Sequence, residues 1–160
     1  NVWGARQALS NPYTGVAAIF CSRFLNNNDP IIYEDGGQIR DFVHVSDIVQ
    51  ACILSLQSKS TNCNVFNVGS GENITINQIA DLLKQAINSD NTAQTINEYR
   101  IGDIRHCFAD ITNIQNELGY KPQKSLFSHI DELVSWVMQQ KSDDTFHQAK
   151  KELEKRGLVL

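Results

Sequence analysis

The sequence predicts an α/β fold in which short strands alternate with helices of about 12 residues. Apolar residues recur at helical spacing in several long segments, and short β-branched or aromatic runs lie between those segments. The 160 residues, of which 41% are hydrophobic and 20% charged, suffice for the core of one domain. The strands are nevertheless too few and too short for a self-sufficient doubly wound sheet. We therefore expect the chain to form one part of a larger α/β protein.

The first elements follow from apolar spacing and turn residues. Residues 15–25 carry apolar side chains at helical spacing and precede the breaker at 26–30, so they predict a helix. Residues 31–33 form a β-branched and aromatic run that the turn at 34–37 ends, and they predict a short strand. Over 41–45, polar and apolar residues alternate, which is typical of a half-buried strand.

The middle of the chain predicts two further helices and a strand. Ser46 is the expected N-cap of the first helix, because a serine hydroxyl accepts a hydrogen bond from a free backbone N–H. The apolar side chains of that helix form one predicted buried face, which comprises Ile48, Val49, Cys52, Ile53 and Leu56. Residues 64–68 predict a strand closed by the glycines at 69–71, and Thr75 is the expected cap of a helix that runs to Ile87.

The last part of the chain predicts three helices, which differ in how regularly their apolar residues are spaced. Asp110 or Thr112 is expected to begin a short helix that ends at Gly119. The strongest periodicity spans 126–138, and its predicted buried face comprises Phe127, Ile130, Leu133, Val134 and Val137. The tail at 141–160 carries five basic and four acidic residues. It predicts a weakly amphipathic helix with apolar positions at Phe146, Ala149 and Leu153.

Composition argues against several classes of function. The 14 basic and 18 acidic residues give a net charge of -4 without a basic run, so we expect neither nucleic acid nor an anionic membrane as partner. No apolar stretch reaches the roughly 20 residues of a membrane span, and no signal peptide is visible. The four cysteines contain no C-x-x-C pair, so we expect free thiols in a reducing compartment, the cytoplasm. Neither these cysteines nor the four histidines have zinc-ligand spacing, and no metal site is expected.

The start of the chain resembles the end of a strand that has been cut. The residues Asn1-Val2-Trp3-Gly4 are apolar almost at once and include no initiator Met. Natural N-termini are usually polar and loosely held. We therefore expect the sequence to be a fragment of a longer protein.

Two motifs that could bind a cofactor or transfer a proton are interpreted as structural. Gly69-Ser70-Gly71 follows a predicted strand, but it is not a G-x-G-x-x-G fingerprint, and the next helix begins several residues later. It favours a tight turn over a dinucleotide site. Tyr120 and Lys124 have the spacing of a catalytic Tyr-x-x-x-Lys pair, but Pro122 between them breaks the helix that this chemistry requires.

Two arginines are candidates for binding phosphate. Arg40 and Arg100 each lie beside a turn and precede an acid, within residues 37–41 and 100–103. A guanidinium group can hold a diphosphate with two parallel hydrogen bonds. An exposed arginine paired with a surface carboxylate is the commoner arrangement, so the residues alone leave both interpretations open.

Five motifs occur in a fixed order along the chain. They are Asn1–Gln7 (NVWGARQ), Glu34–Asp47 (EDGGQIRDFVHVSD), Phe66–Gly71 (FNVGSG), Arg100–Asp103 (RIGD) and Leu118–Pro122 (LGYKP). Together they resemble the C-terminal, substrate-binding half of the extended short-chain dehydrogenase/reductase family, in its branch of NAD-dependent nucleotide-sugar epimerases and dehydratases. The resemblance covers about residues 1–140. The segments 6–15 and 152–158 are most similar to the dTDP-L-rhamnose 4-epimerase and UDP-glucose 4-epimerase branch.

The resemblance implies substrate-binding roles at both ends of a nucleotide sugar. Asn1 matches an asparagine that hydrogen-bonds the substrate near its sugar and phosphates. Gly15 and Val16 match positions whose backbone groups meet the nucleotide base. Tyr33 matches the residue that flanks the base, where an aromatic ring provides a stacking surface.

The same resemblance implies roles for charged residues. Arg40 and Arg100 match the arginines that hold the diphosphate, and Asp103 matches the acid that faces the ribose. His44 and Asp47 match a segment that we interpret as structural, in which Asp47 is expected to help cap the following helix.

The resemblance also implies a cofactor and a reaction. Family members bind NAD through a glycine-rich segment and use a Tyr-x-x-x-Lys pair, and both lie upstream of the part that matches Asn1. We therefore expect no catalytic or cofactor-binding residue in this chain. Residues 1–140 are expected to form a nucleotide-sugar substrate-binding domain, and residues 141–160 a charged, helical tail. The parent enzyme is expected to be a 4-epimerase that converts a dTDP- or UDP-hexose through a transient 4-keto sugar.

Two alternatives to this function stay open. A nucleotide-sugar 4,6-dehydratase or decarboxylase shares the fold, and a non-catalytic nucleotide-sugar-binding module would need no upstream half. Trp3 and Ala5 replace the usual tyrosine and proline of the family, so the sequence leaves the sugar undecided. Family members usually dimerise through the half that is absent here. We expect a homodimeric parent, and an isolated chain that is inactive and either monomeric or paired through its cut face.

Overall fold

The chain folds as packed helices that short strands connect and position. The computed structural model describes residues 1–7, 9, 15–59, 64–140, 144 and 146–157. Within these residues lie six helices, α1 (Val16–Leu25), α2 (Val45–Gln57), α3 (Ile76–Ile87), α4 (Thr112–Leu118), α5 (Leu126–Val137) and α6 (Phe146–Lys155). The same residues include seven strands, β1 (Val2–Trp3), β2 (Ile31–Ile32), β3 (Ile39–Arg40), β4 (Val43–His44), β5 (Ile74–Thr75), β6 (Gln94–Thr95) and β7 (His106–Cys107).

The described strands pair in three small sheets. β1 lies parallel to β4, with Val2 opposite Val43, and β2 lies parallel to β6, with Ile31 opposite Gln94. In the third sheet the central strand β3 is antiparallel to β5 and parallel to β7. Parallel sheets of two short strands are normally parts of larger sheets that helices cover on both faces. Among the described residues, β1 pairs with β4 alone, so its other edge is open.

The main hydrophobic core lies between α1, α3 and α5. α3 packs against both other helices. Large side chains from all three meet there, and each of the following is at most 2% exposed: Phe20, Phe24, Leu83, Leu133 and Val137. Burying side chains of this size stabilises the fold by about 1.5–3 kcal/mol each. A smaller core joins α2 to α4 and comprises Ala51, Ile111, Ile114 and Tyr120.

The structure confirms the predicted helices and two of their ends. Thr75 caps α3, because its hydroxyl accepts a hydrogen bond from the backbone N–H of Gln78 at 3.2 Å and the Gln78 side chain accepts one in return. Gly119 ends α4 with φ 66°, a left-handed conformation that glycine adopts without steric cost. α6 forms within the predicted tail. No helix of the described segments is both long and apolar enough to cross a membrane.

The start of α2 differs from the prediction. Its N-cap is His44, whose Nδ1 accepts a hydrogen bond from the backbone N–H of Ser46 at 3.1 Å, so Ser46 is not the cap. Asp47 does not cap the helix either. Its carboxylate is buried and accepts hydrogen bonds from the backbone N–H groups of Gln123 and Lys124, at 3.0 and 3.2 Å. Asp47 therefore fixes the segment between α4 and α5 onto α2.

The apolar face that the sequence predicts to be buried on α2 is largely exposed, so this prediction is wrong. Of the five residues predicted for this face, Ile48 is partly buried and the other four are exposed. We define the α2 apolar face as the exposed members Val49, Cys52, Ile53 and Leu56. Leu56 alone is 87% exposed. Periodicity shows which side chains share a helix face, but it does not show what covers that face.

The strand predicted over 41–45 is corrected in two respects. Residues 41–44 are all buried rather than alternately exposed, and only Val43–His44 pairs as a strand. Asp41 tolerates burial because its carboxylate accepts hydrogen bonds from the backbone and hydroxyl of Ser70, at 2.8 and 2.7 Å.

Two further predictions about buried faces and strands are wrong. Residues 64–68 belong to no strand in the described part of the chain, and Phe66 and Val68 pack against the smaller core instead. On α5, Phe127 is 49% exposed, and Leu126 lies in the core in its place. Both errors arise because local apolar spacing is compatible with more than one tertiary packing.

Candidate functional site

The seven residues that the resemblance assigns to substrate binding lie around one cavity of about 330 Å³. They are Asn1, Gly15, Val16, Tyr33, Arg40, Arg100 and Asp103. This volume is at the lower end of the usual range for small-molecule sites. The residues come from distant parts of the sequence, so tertiary folding assembles the cavity. Their roles in binding stay predictions.

Short elements place these residues at the cavity wall. Gly15 is the N-cap of α1, and Val16 is its first residue. Tyr33 follows β2 directly, and Arg40 is the second residue of β3. Because β3 pairs on both sides, with β5 and β7, its backbone is held from two directions. The guanidinium group of Arg40 therefore projects from a fixed base.

Arg40 is held by several acceptors. Its Nη2 donates to Oδ1 of Asp103 at 2.8 Å, and its Nη1 donates to the backbone carbonyls of Ile39 and Arg105, at 2.9 and 3.0 Å. The side chain is only 14% exposed. The ionic partner of Arg40 is thus Asp103 and not its neighbour Asp41.

Arg100 shares the same carboxylate. Its Nη2 donates to Oδ2 of Asp103 at 2.8 Å, and its guanidinium group lies over the Tyr33 ring, 5.4 Å from the ring centroid. Such a cation–π contact orients the guanidinium group. The Asp103 carboxylate therefore binds two guanidinium groups, and the three groups together carry a net positive charge. A positive charge in a partly buried cavity favours an anionic ligand.

Tyr33 presents both a ring and a buried phenol oxygen. Burial raises the pKa of this phenol. The phenol oxygen has no hydrogen-bond partner among the described residues, and the same holds for the buried Oε1 of Gln38. Gln38 lies beside Tyr33, because its Nε2 donates to the Tyr33 carbonyl at 2.7 Å. Unpaired buried polar groups cost free energy. The two oxygens therefore reduce the stability of this part of the fold.

The turn after Tyr33 is fixed by Arg105. Its two Nη atoms donate to the carboxylates of Glu34 and Asp35, each at 2.7 Å. The hydrogen bond from Arg105 lowers the pKa of the Asp35 carboxyl to about 2. These ion pairs are exposed to solvent, so they orient the turn more than they stabilise the fold.

Sequence reasoning missed three cavity residues on α6. Phe146, Lys150 and Leu153 line the same cavity. Phe146 and Leu153 were visible as apolar positions of the predicted tail helix, but that pattern does not show which surface the helix covers. Lys150 gives no sequence signal, because its position depends on a tertiary contact with Glu98, 52 residues earlier.

Tyr120 and Lys124 do not lie on one helix in the structure, as Pro122 between them predicts. Tyr120 lies between α4 and α5 rather than on a helix, and its hydroxyl donates to the carbonyl of Gly69 at 2.9 Å. Burial raises the pKa of the Tyr120 phenol to about 12. Lys124 forms an ion pair with Glu132. The helical arrangement that Tyr-x-x-x-Lys chemistry requires is absent at these positions.

The glycine turn at 69–71 does not fit a dinucleotide phosphate. A Cβ atom on Gly69 would lie 2.3 Å from Oδ2 of Asp41 and 2.7 Å from the Cβ of Ala109, so protein atoms fill the space in front of this glycine. The Asp41 carboxylate would also repel a phosphate. The described residues therefore present no fit for NAD at this turn.

The described residues also show no group of three His, Cys, Asp or Glu side chains that could hold a metal ion. Cys21, Cys52 and Cys107 are free thiols, and Cys63 lies outside the described residues. Burial raises the pKa of the Cys21 thiol to about 12, so this thiol stays protonated and unreactive.

The cavity has the side chains to bind a ligand that contains both a planar ring and an anionic group. Its described wall combines the Tyr33 ring with three cationic side chains, Arg40, Arg100 and Lys150, and one carboxylate, Asp103. An aromatic ring stacks on a planar heterocycle, and guanidinium groups hold phosphate oxygens by charge-assisted hydrogen bonds. A nucleoside diphosphate has both features.

The chain is similar in sequence to a family of sugar-nucleotide enzymes. The family model described as GDP-mannose 4,6 dehydratase matches residues 3–133. The dTDP-L-rhamnose 4-epimerase of Burkholderia thailandensis is 36% identical over 141 residues, which are 88% of this chain and 38% of that protein. The chain thus spans about two fifths of the length of this relative.

The fold is similar to those of solved epimerases. The UDP-N-acetylglucosamine 4-epimerase of Methanobrevibacter ruminantium, in complex with UDP-N-acetylmuramic acid, has a TM-score of 0.80 at 37% identity, and the match covers 88% of this chain and 44% of that one. The UDP-glucose 4-epimerase of Thermus thermophilus, in complex with NAD, has a TM-score of 0.74 at 25% identity over 88% of this chain and 45% of that one. These matches confirm the predicted α/β fold of an extended short-chain dehydrogenase.

Proposed function

Because the chain belongs to the GDP-mannose 4,6 dehydratase family of NAD-dependent epimerases and dehydratases, we propose that it is the substrate-binding part of a nucleotide-sugar 4-epimerase. The substrate would be a dTDP- or UDP-hexose, converted through a transient 4-keto sugar. The observation that carries this proposal is the meeting of all seven implied substrate-binding residues around one cavity.

In this proposal the nucleotide lies along the cavity. The base stacks at Tyr33 and meets the backbone of Gly15 and Val16, while the diphosphate lies against Arg40 and Arg100. The contact between Arg100 and the Tyr33 ring supports this placement, because it brings a phosphate-binding cation next to a base-stacking surface. A single nucleotide can then reach both groups.

The remaining two residues would contact the middle and the far end of the substrate. Asp103 would face the ribose while it keeps both arginines in place, and Asn1 would hydrogen-bond near the sugar and phosphates. A carboxylate that already orients two guanidinium groups reduces the ordering that the ligand must cause on binding.

NAD and the proton-transferring residues are proposed to belong to a part of the protein outside this sequence. The α2 apolar face and the open edge of β1 support this placement, since α2 contacts β1 directly. An open parallel edge beside an exposed apolar helix face suits a further α/β layer, with strands on the edge and a helix on the face. We propose that the NAD-binding part of the parent packs there.

A nucleotide-sugar 4,6-dehydratase is the second candidate, and the description of the matching family model favours it. The cavity would bind the nucleotide in the same way, so the two functions differ only in residues beyond this chain. The products of the parent enzyme distinguish them. An epimerase returns a hexose of the same mass, whereas a dehydratase releases water and leaves a 4-keto-6-deoxy sugar.

We further propose a cytoplasmic parent that dimerises through the part absent here. The free thiols of Cys21, Cys52 and Cys107 support a reducing compartment.

Calorimetric titration of the chain with UDP and dTDP tests the proposed function. Both diphosphates are expected to bind more tightly than uridine and thymidine, since only they reach the arginines. With NAD and a UDP- or dTDP-hexose, the chain alone is expected to give no product by chromatography. If neither diphosphate binds to the folded chain, or if product exceeds the blank, the proposal is wrong.

A further inference from the structure

The C-terminal helix supplies one wall of the cavity. Phe146, Lys150 and Leu153 are spaced at i, i+4 and i+7, which places them on one face of α6, and all three line the cavity. The family model ends at residue 133, so this helix lies beyond the residues that define the family match. The family match therefore does not show what α6 contacts.

The beginning of α6 is anchored to α1 by a nearly buried ion pair. Nη1 of Arg23 donates to Oδ2 of Asp144 at 2.8 Å, and the two side chains are 6% and 10% exposed. The other nitrogens of Arg23 donate to the carbonyl of Asp29, at 3.0 and 2.7 Å. Its guanidinium group also lies over the Phe146 ring, 4.9 Å from the centroid. These contacts fix where the helix starts and hence which surface it covers.

The middle of α6 is held at the Tyr33 end of the cavity. Nζ of Lys150 donates to both carboxylate oxygens of Glu98, at 3.0 and 3.3 Å. Glu98 is adjacent to Tyr33, because its carbonyl accepts a hydrogen bond from the backbone N–H of Glu34 at 2.7 Å. The positive charge of Lys150 also opposes the increase that burial causes in the pKa of the Tyr33 phenol.

We propose that α6 is a lid over the nucleoside end of the cavity and that Lys150 is a further substrate-binding residue, which donates a hydrogen bond to a ring carbonyl of uracil or thymine. This inference rests on the proposed function. An ammonium group has three donors and no acceptor, so it suits the carbonyl oxygens of these two bases. Glu98 and, at 3.9 Å, Glu154 occupy only part of that donor capacity, and the Lys150 side chain is 24% exposed.

A purely structural role for Lys150 makes a different prediction. If the ammonium only anchors α6 through Glu98, then removing either partner of the ion pair should have the same effect on binding. If the ammonium contacts the base, then Lys150→Met should weaken binding, whereas Glu98→Met, which removes the acceptor but keeps the ammonium, should not. Lys151→Met is the matched control, because Lys151 is the exposed neighbour on the same helix.

Calorimetry with UDP and with uridine tests the inference on the full chain. Lys150→Met is expected to lower the affinity for both ligands by about tenfold, because the lost contact is to the base. Glu98→Met and Lys151→Met are expected to stay within about twofold of the wild type. Hydrogen exchange of residues 146–157 is expected to slow when UDP binds, since the ligand would contact the helix.

The outcomes separate this inference from the proposed function. If Arg40→Ala weakens UDP binding but Lys150→Met does not, the lid is refuted and the substrate-binding function stands. Equal losses in Lys150→Met and Glu98→Met, or unchanged exchange in α6 at saturating UDP, also refute the contact with the base. If the folded wild-type chain binds neither UDP nor dTDP, both proposals fail together.

Discussion

Oδ1 of Asp103 accepts a hydrogen bond from Nη2 of Arg40 at 2.8 Å, although the two residues lie 63 positions apart in the sequence. The second oxygen of this carboxylate accepts an equivalent bond from Arg100. The geometry therefore fixes two cations at one wall of the cavity before any ligand arrives. Preorganised groups bind more tightly because less ordering accompanies binding.

Replacing either arginine is expected to weaken binding of a nucleoside diphosphate. Each charge-assisted hydrogen bond contributes roughly 1.5–3 kcal/mol, so Arg40→Ala or Arg100→Ala should raise the Kd for UDP about 10- to 150-fold. Lysine should restore the affinity only in part, because a point charge lacks the planar fork of a guanidinium group. Calorimetry should show little change in the affinity for uridine.

The control for this experiment is Arg156→Ala. Arg156 is an exposed arginine that pairs with Glu152 on the surface, so its loss should leave the affinity for UDP unchanged. If both cavity arginine variants keep wild-type affinity for UDP, with intact circular dichroism, their role is limited to the ion pairs with Asp103.

Local signals predicted the helices well because helix ends depend on neighbouring residues. Thr75 and Gln78 form a capping box within four residues, and Gly119 needs only its own conformational freedom to end α4. The strands were harder to predict, since each has two residues and depends on distant partners. Arg40 on β3, for example, lies opposite Ile74 on one side and Cys107 on the other.

Without the family resemblance, the chemistry of the side chains pointed to only two of the residues that line the cavity. The flanking glycines and acids singled out Arg40 and Arg100, but only the family resemblance added Asn1, Tyr33 and Asp103 to them. Gln38 and Lys150 lacked any such signal, because a polar residue in a turn or on a charged helix is normally solvated. Their contacts with Tyr33 and Glu98 exist only in the folded chain.

Tyr120→Phe is expected to reduce stability without affecting ligand binding. The change removes the hydrogen bond to Gly69 and leaves a buried carbonyl without its partner, which should lower the free energy of unfolding by about 1–3 kcal/mol in urea titrations. In the full-length parent, kcat should stay within about threefold. Loss of a true acid or base typically lowers kcat by about 10²–10⁴.

Tyr99→Phe is the matched control for the effect on stability. Its side chain is 48% exposed, so loss of its hydroxyl should leave the unfolding free energy within about 0.5 kcal/mol of the wild type. A drop of the parent kcat by 10³ or more in Tyr120→Phe would contradict its structural role.

Charges on the α2 apolar face are expected to reduce self-association of the isolated chain. Ile53 and Leu56 are 47% and 87% exposed, so Ile53→Lys with Leu56→Lys should change the unfolding free energy by no more than about 0.5 kcal/mol. Sedimentation velocity should show less dimer or aggregate than the wild type at the same concentration. In the full-length parent the same pair should destabilise the protein, because these residues would then be buried. A parent that tolerates both lysines would contradict the proposed packing of the NAD-binding part on this face.

The stability of the chain is expected to decrease as the pH falls below about 6.5, through His44. The imidazole is 2% exposed and packs edge-on against Trp3, with ring centroids 4.6 Å apart. Burial is the main cause that lowers the pKa of His44, and Lys124 and His129 lower it further, while Glu132 and Asp47 act in the opposite direction. The folded state therefore keeps a neutral ring at a pH at which the unfolded chain, with a histidine pKa near 6.5, already takes up a proton.

His44→Asn tests this effect, because asparagine retains an acceptor for the cap of α2 but does not titrate. Urea titrations between about pH 5.5 and 7.5 should show that the unfolding free energy of the wild type falls with decreasing pH, and that the variant loses much less. The carboxyl groups with lowered pKa, such as Glu132 and Asp35, titrate below this window, so they do not obscure the comparison. Equal slopes in the wild type and in His44→Asn would show that protonation of His44 does not oppose folding.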